Sequence, residues 1–188
     1  MNSNIIKAIR LTLVLTVLLC VLYPVVITFA AKLSKGQGNG ETITVNGKVV
    51  GYANVGQSFT QAKYFWGRPS AVAYNAAGSA GSNKGPSNPD YLKDVSNRID
   101  TLLKYHPYLK RGDIPSEMVT ASGSGLDPDI SPAAANIQIK RIADNRGLTI
   151  QQVTNLVNQH TEAPLLGLFG PSKVNVLKLN VALDALKK

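Results

Sequence analysis

The chain has 188 residues, a formal net charge of +9 and one cysteine. That length allows one domain with a real core plus a short additional segment, and a single cysteine excludes an internal disulfide framework. The basic excess is scattered, with no groove-reading or aromatic-stacking motif beside it, which argues against a nucleic-acid partner.

Residues 1–10 form a short tail carrying Lys7 and Arg10. Residues 11–31, "LTLVLTVLLCVLYPVVITFAA", run without a charge. A helix rising about 1.5 Å per residue over this length crosses a hydrocarbon core of about 30 Å, so the segment is expected to be a single transmembrane helix surrounded by membrane lipid. The apolar region of a cleaved signal is shorter, about 7 to 15 residues. Pro24 inside the span points to packing against other membrane helices, which shelter the carbonyl it leaves free. Lys7 and Arg10 precede the span and Lys32 and Lys35 follow it, a small bias toward a cytoplasmic N-terminus with an extracytoplasmic soluble domain. Cys20 lies within the span and does not report on the redox compartment. Eighteen of the twenty basic residues and all eleven acidic ones follow the span, leaving that part at +7.

Residues 32–40, which include "SKGQGNG", read as a linker, and residues 41–188 as one soluble α+β domain. Within it, Asn46-Gly47 between two apolar alternations predicts a type I′ hairpin over 42–50. Tyr64, Phe65 and Trp66 are expected in the core or an interface, and residues 78–89 form a long loop. Asn88 as cap and Pro89 at the first helical position open a helix with Tyr91, Val95, Ile99 and Leu102 on one face. It stops before His106-Pro107, with His106 a helix-end residue. Ser131 and Pro132 start one helix that carries Ala134, Ile137 and Ile142 and ends at Gly147. Asp127 and Asp129 lie near its positive end. Thr149 caps a further helix with Ile150, Val153, Leu156 and Val157 on one face, and "VNVLKLNVALDAL" reads as a short strand leading into a terminal helix.

The densest motif is "VTASGSGLDPDISPAAA", residues 119–135. Turn and cap chemistry accounts for much of it, so Ser122, Ser124, Gly125, Asp127, Ser131 and Pro132 are read as a structural motif that shapes a docking domain. The catalytic alternative is a membrane-anchored extracytoplasmic hydrolase with Ser124 as nucleophile and His160 as base, completed by Asp127 or Asp129. "ASGSG" lacks the first glycine of a nucleophile elbow. Two distant histidines and the Asp127/Asp129 pair do not make a metal site, and no phosphate-binding glycine loop is present.

The segments "YFWGRPSA", "GSNKGPSNP", "VTASGSGLDPDISPAAA" with Gln138 and Arg141 after it, "HTE" and "VNVLKLNVALD" are met in this order. Together with the single span and its Tyr23-Pro24, this arrangement resembles the C subunit of the Kdp potassium-transporting P-type ATPase over nearly the whole chain. The resemblance implies a non-catalytic subunit of a high-affinity, ATP-driven potassium uptake complex. Its partners would be a channel-like potassium-binding subunit and a P-type ATP-hydrolysing subunit. The expected role is assembly and catalytic chaperoning, raising the ATP affinity of the hydrolysing subunit. The chain alone would bind no cofactor, and ATP would be met only within the complex. Gln138 matches the family position nominated for nucleotide contact, whereas the residue pattern alone makes it a helix-surface amide. Direct contact requires a cytoplasmic domain. The charge bias places the domain outside, where it could act on ATP affinity only by favouring one state of the pump.

Overall fold

The computed structural model describes residues 2–186 and divides into two compact units, Met1–Thr42 and Ile43–Lys188. The first is dominated by one continuous helical rod made of α1 (Asn2–Val17), a π-helical turn (Leu18–Leu22) and α2 (Tyr23–Ala31). Among the described residues, Ser3–Ala31 is the one helix long and apolar enough to cross a membrane, and its large apolar side chains are uncovered. The rod widens immediately before Pro24, with the Tyr23 N–H donating five residues back to Leu18 O. A proline lacks the N–H that would close the preceding turn, and a π-turn is one local accommodation of that loss. Farther along, Thr28 Oγ1 donates to Pro24 O at 2.7 Å.

The hairpin β1 (Thr42–Val45) and β2 (Lys48–Tyr52) comes next, all but Thr42 belonging to the second unit. Asn46 and Gly47 both have positive φ, 50° and 76°, the type I′ requirement read from the sequence. From Ala53 to Asn88 the chain has no regular element, a longer irregular stretch than the loop read at 78–89. Asn88 then accepts from Tyr91 N at 3.1 Å and opens α3 (Pro89–Tyr105). Two 3₁₀ turns, Arg111–Asp113 and Ser116–Met118, lead to β3 (Asp129–Ile130). There follow α4 (Pro132–Asn136), α5 (Ile139–Arg146), α6 (Ile150–Gln159), β4 (Thr161–Glu162), β5 (Lys173–Asn175) and α7 (Val176–Ala185).

β5 is the centre of a small antiparallel sheet, pairing Ile130 with Val174 on one side and Thr161 with Val174 on the other. It runs straight into α7, and Asn175 manages the junction. Its Oδ1 accepts from Lys178 N at 3.0 Å as a helix cap, and its Nδ2 donates to Ala53 O at 2.7 Å. The core is built from Phe65, Ile130, Ala134, Ile142, Val153, Val157, Val174, Leu179 and Leu183, all buried.

Two expectations are corrected. The single helix from Ser131 to Gly147 is two helices, because Gln138 N bonds Ala135 O three residues back and tightens the turn at Ile137 and Gln138. Gly147 does end the second, at φ 64°. Ile150 lies outside the buried face of α6: the first turn, Ile150 to Gln152, is exposed throughout, and Val153, Leu156 and Val157 make the contact stripe.

Candidate functional site

Two conspicuous side chains of the second unit are carboxamides that hold loop backbone. Residues 65 and 66 belong to the irregular stretch and have no strand partner. Asn180 of α7 accepts from Phe65 N at 2.8 Å and donates to Phe65 O at 3.0 Å. Gln138, at the head of α5, does the same for the next residue, with 2.8 Å to Trp66 N and 3.1 Å to Trp66 O. Each amide presents one donor and one acceptor in a plane, as a neighbouring strand would. The segment is thereby fixed on both sides without a sheet.

Gln138 is fully buried, which corrects its reading as a surface amide. Its remaining hydrogen-bonding capacity is also used: Nε2 donates to Ala134 O at 3.0 Å, and Oε1 accepts from Arg141 Nη2 at 2.7 Å. With its polar atoms all bonded inside the domain, Gln138 presents no free donor or acceptor to a nucleotide in this conformation.

Arg141 extends the network. Its Nε donates to His106 Nε2 at 2.9 Å, its Nη1 donates to Ala62 O, and the guanidinium lies 4.3 Å from the centre of the Trp66 ring. All these partners are neutral. Burial lowers the Arg141 pKa to about 10, still well above neutrality. His106 stands at the C-terminal cap of α3, as expected, and is also fully buried. Because Arg141 donates to Nε2, that nitrogen is the acceptor, so the neutral ring carries its proton on Nδ1 and donates to Leu102 O at 2.8 Å. Burial is the main cause that lowers its pKa to about 4, with the Arg141 charge acting in the same direction and the Leu102 bond opposing.

The 119–135 motif lies along the same irregular stretch and is stitched to it. Ser122 is buried, its N–H donates to Pro69 O at 3.0 Å, and its Oγ accepts from Gly125 N at 2.9 Å. Gly125 has φ 68°, and a Cβ there would meet Val72 Cγ2 at 2.5 Å and Ala80 O at 2.7 Å, so only glycine fits. Ser70 Oγ donates to Gly125 O at 2.7 Å. Ser124 Oγ accepts from Leu126 N at 3.0 Å. Asp127 pairs with Arg68 at 3.0 Å and accepts from Asp129 N, while Asp129 pairs with Lys173 at 2.8 Å. Asp129 also accepts from Asn175 Nδ2 at 3.2 Å, so the partners of both carboxylates are basic side chains, a turn amide and a side-chain amide. Ser131 caps α4 through Ala134 N at 3.1 Å, and Glu117 accepts from the Ser131 N–H at 2.9 Å, completing from a distance what a capping box does locally. Pro132 takes the first helical position.

The catalytic arrangement is not assembled in this geometry. His160 Nδ1 bonds Leu156 O at 2.9 Å, and no hydrogen bond joins it to Ser124 among the described residues. Nor, among them, are three or more His, Cys, Asp or Glu grouped to hold a metal ion. What does open beside the network is a cleft of about 450 Å³ with walls that include Phe59, Trp66, Arg68, Tyr74, Arg98 and Tyr105. Burial and the Asp127 charge raise the Tyr74 phenol to about 12, with Arg68 opposing, so it remains a neutral hydroxyl. Both arginines of the cleft are engaged within the domain, Arg68 by Asp127 at 3.0 Å and Arg98 by Val119 O at 2.9 Å.

Residues 5–185 match the family described as KdpC, the c chain of the K+-transporting ATPase. The chain belongs to the KdpC family. The potassium-transporting ATPase KdpC subunit of Bacteroides fragilis is 56% identical over 188 residues, covering 98% of both chains. That of Flavobacterium johnsoniae is 60% identical over 185 residues, or 98% of this chain and all of the relative. The KdpC subunit of Caldanaerobacter subterraneus subsp. tengcongensis is 47% identical over 190 residues, covering 100% and 98%. KdpC is one subunit of a potassium-transporting ATPase, which implies partner subunits, and the single apolar helix suits a single-pass membrane component.

Sequence reading missed the roles of His106, Arg141 and Asn180 in a KdpC chain. A signal was present: Gln138 and Arg141 share a helical phase with Ala134, and Asn180 shares one with Val176 and Leu183. Polar residues at core-facing positions imply buried hydrogen-bond partners.

Proposed function

We propose that this chain is the non-catalytic accessory subunit of an ATP-driven potassium uptake complex. It supports assembly with a channel-like potassium-binding subunit and a P-type ATP-hydrolysing subunit, and it raises the ATP affinity of the latter. The carrying observation is the buried Gln138–Arg141–His106 network, whose polar groups bond one another and the domain's own backbone. Such a network stiffens a docking surface and leaves no polar atom of Gln138 free for substrate. The effect on ATP is therefore an allosteric preference for one state of the pump, exerted from a domain on the extracytoplasmic side. The charge of +7 on the part following the span supports a structural role over electrostatic recruitment of potassium.

The test measures ATP hydrolysis by the purified complex against ATP concentration, with and without this chain. Half-saturation at lower ATP when the chain is present is the expected result. A complex that assembles without the chain and has an unchanged ATP dependence would refute the proposal. Topology is checked with Cys20→Ala and Ser82→Cys in intact cells, where labelling by a membrane-impermeant maleimide is expected. Protection until lysis would place the domain in the cytoplasm and reopen direct ATP contact.

A further inference from the structure

The loop between β4 and β5, "APLLGLFGPS" (residues 163–172), plays no part in the network or the cleft described above. It contains no charged residue. Leu165, Leu166, Leu168 and Phe169 are 69%, 82%, 82% and 63% exposed, whereas no other described large apolar residue of the second unit exceeds 59%. Isolated exposed apolar residues are ordinary, but four within five positions are a patch that calls for a partner.

The backbone of the loop is closed on itself. Leu165 N and Phe169 O pair at 3.0 Å, as do Phe169 N and Leu165 O; Gly167 N donates to Pro164 O at 2.9 Å, and Leu168 N to Leu165 O at 3.1 Å. With four of its amides already bonded, the turn enters an apolar medium at a reduced penalty for stranded donors. Leu166 has φ 55°, a left-handed conformation that favours glycine or asparagine, and Gly167 follows at 73°. A large apolar side chain is thus maintained at the tip despite backbone strain.

The same chain supplies an apolar medium close by. Residues 32–41 separate the apolar helix from β1 and reach at most about 36 Å when extended, and a domain of this size has a radius of gyration of about 15 Å. The tether keeps the loop near lipid at a high effective concentration, at which a weak interfacial partition becomes significant. The +7 charge of residues 32–188 adds attraction to an anionic bilayer.

We infer that the 163–172 loop is a second membrane contact, placing Leu165, Leu166, Leu168 and Phe169 in the interfacial layer of the bilayer that holds the chain's own helix. This rests on reading residues 11–31 as a membrane span. The test uses the assembled complex with Cys20→Ala and Leu166→Cys, labelled with an environment-sensitive fluorophore and reconstituted into phosphatidylethanolamine–phosphatidylglycerol vesicles. Gln151→Cys, on the exposed first turn of α6, is the control. Expected are blue-shifted emission at residue 166 and quenching by brominated acyl chains several-fold stronger than at residue 151. Adding Leu168→Asp is expected to reduce that quenching several-fold, and no reduction would overturn insertion as its cause. Equal access of aqueous iodide to the two sites overturns the inference. So does a residue 166 shielded from iodide yet untouched by brominated lipid, because a protein surface then covers the loop. Flotation with the vesicles reports the anchor separately, and a complex whose copy of this chain fails to float removes both the span and the proposal.

Discussion

Replacing Gln138 with leucine keeps the side-chain volume and removes both ends of the amide. Trp66 N–H and Arg141 Nη2 then lose acceptors at 2.8 and 2.7 Å in a buried setting. Each stranded buried donor costs about 1–3 kcal/mol, so the pair costs about 4 kcal/mol. Leucine returns about 1 kcal/mol through its greater apolar burial. The net loss of about 3 kcal/mol corresponds to a Tm decrease of about 9 °C for a chain of this size. The assay is thermal unfolding of the full-length chain in detergent, followed by the fluorescence of Trp66, the one tryptophan of the chain. Because Trp66 is the residue that Gln138 clamps, its folded-state emission is expected to shift as well. Gln151→Leu, at an exposed position, is expected to stay within about 0.5 kcal/mol of the parent. An unchanged Tm and spectrum in Gln138→Leu, together with an altered ATP dependence of the complex, would refute the structural role and restore a nucleotide contact.

His106 makes stability depend on pH. Its folded pKa, about 4, lies below the unfolded value of 6.5, so the unfolded chain takes up the proton first on acidification. The stabilisation is complete above pH 6.5 and is lost as pH falls toward 4, by about 2 kcal/mol at pH 5; urea midpoints at pH 7 and pH 5 are expected to show this drop, with His106→Gln flattening it. Gly125→Ala is expected to destabilise by about 2 kcal/mol or more because of its positive φ and close neighbours. Gly123→Ala, with nothing within 4 Å of the added carbon, is expected to be nearly neutral in the same denaturant titration. Ser131→Ala removes the cap on α4 and is expected to cost about 1 kcal/mol, measured in the same way.

Features governed by neighbours in the chain were legible in the sequence. The apolar helix follows from a charge-free run, the first hairpin from Asn46-Gly47, α3 from Asn88-Pro89, and the C-terminal strand-to-helix order from the pattern of "VNVLKLNVALDAL". In each case the governing interaction spans a few residues or one helical face, so local order suffices. The family resemblance came from long motifs in order, and the match over residues 5–185 agrees with it.

The site depended on contacts that local order does not contain. Gln138 and Trp66 are 72 positions apart, Arg141 and His106 are 35, and Asn180 and Phe65 are 115. The helical phase that Gln138 shares with Ala134 points toward the core, but the "IQIKR" run does not name the distant backbone that would meet the amide, and the solvated reading was wrong for that reason. The break between α4 and α5 has the same origin, since the turn that tightens at Ile137 and Gln138 carries the Gln138 side chain to the Trp66 backbone. Local propensity thus determined which segments coil and where they stop. Tertiary packing decided which polar side chains are buried, because a buried amide is tolerated only where distant backbone meets its hydrogen bonds.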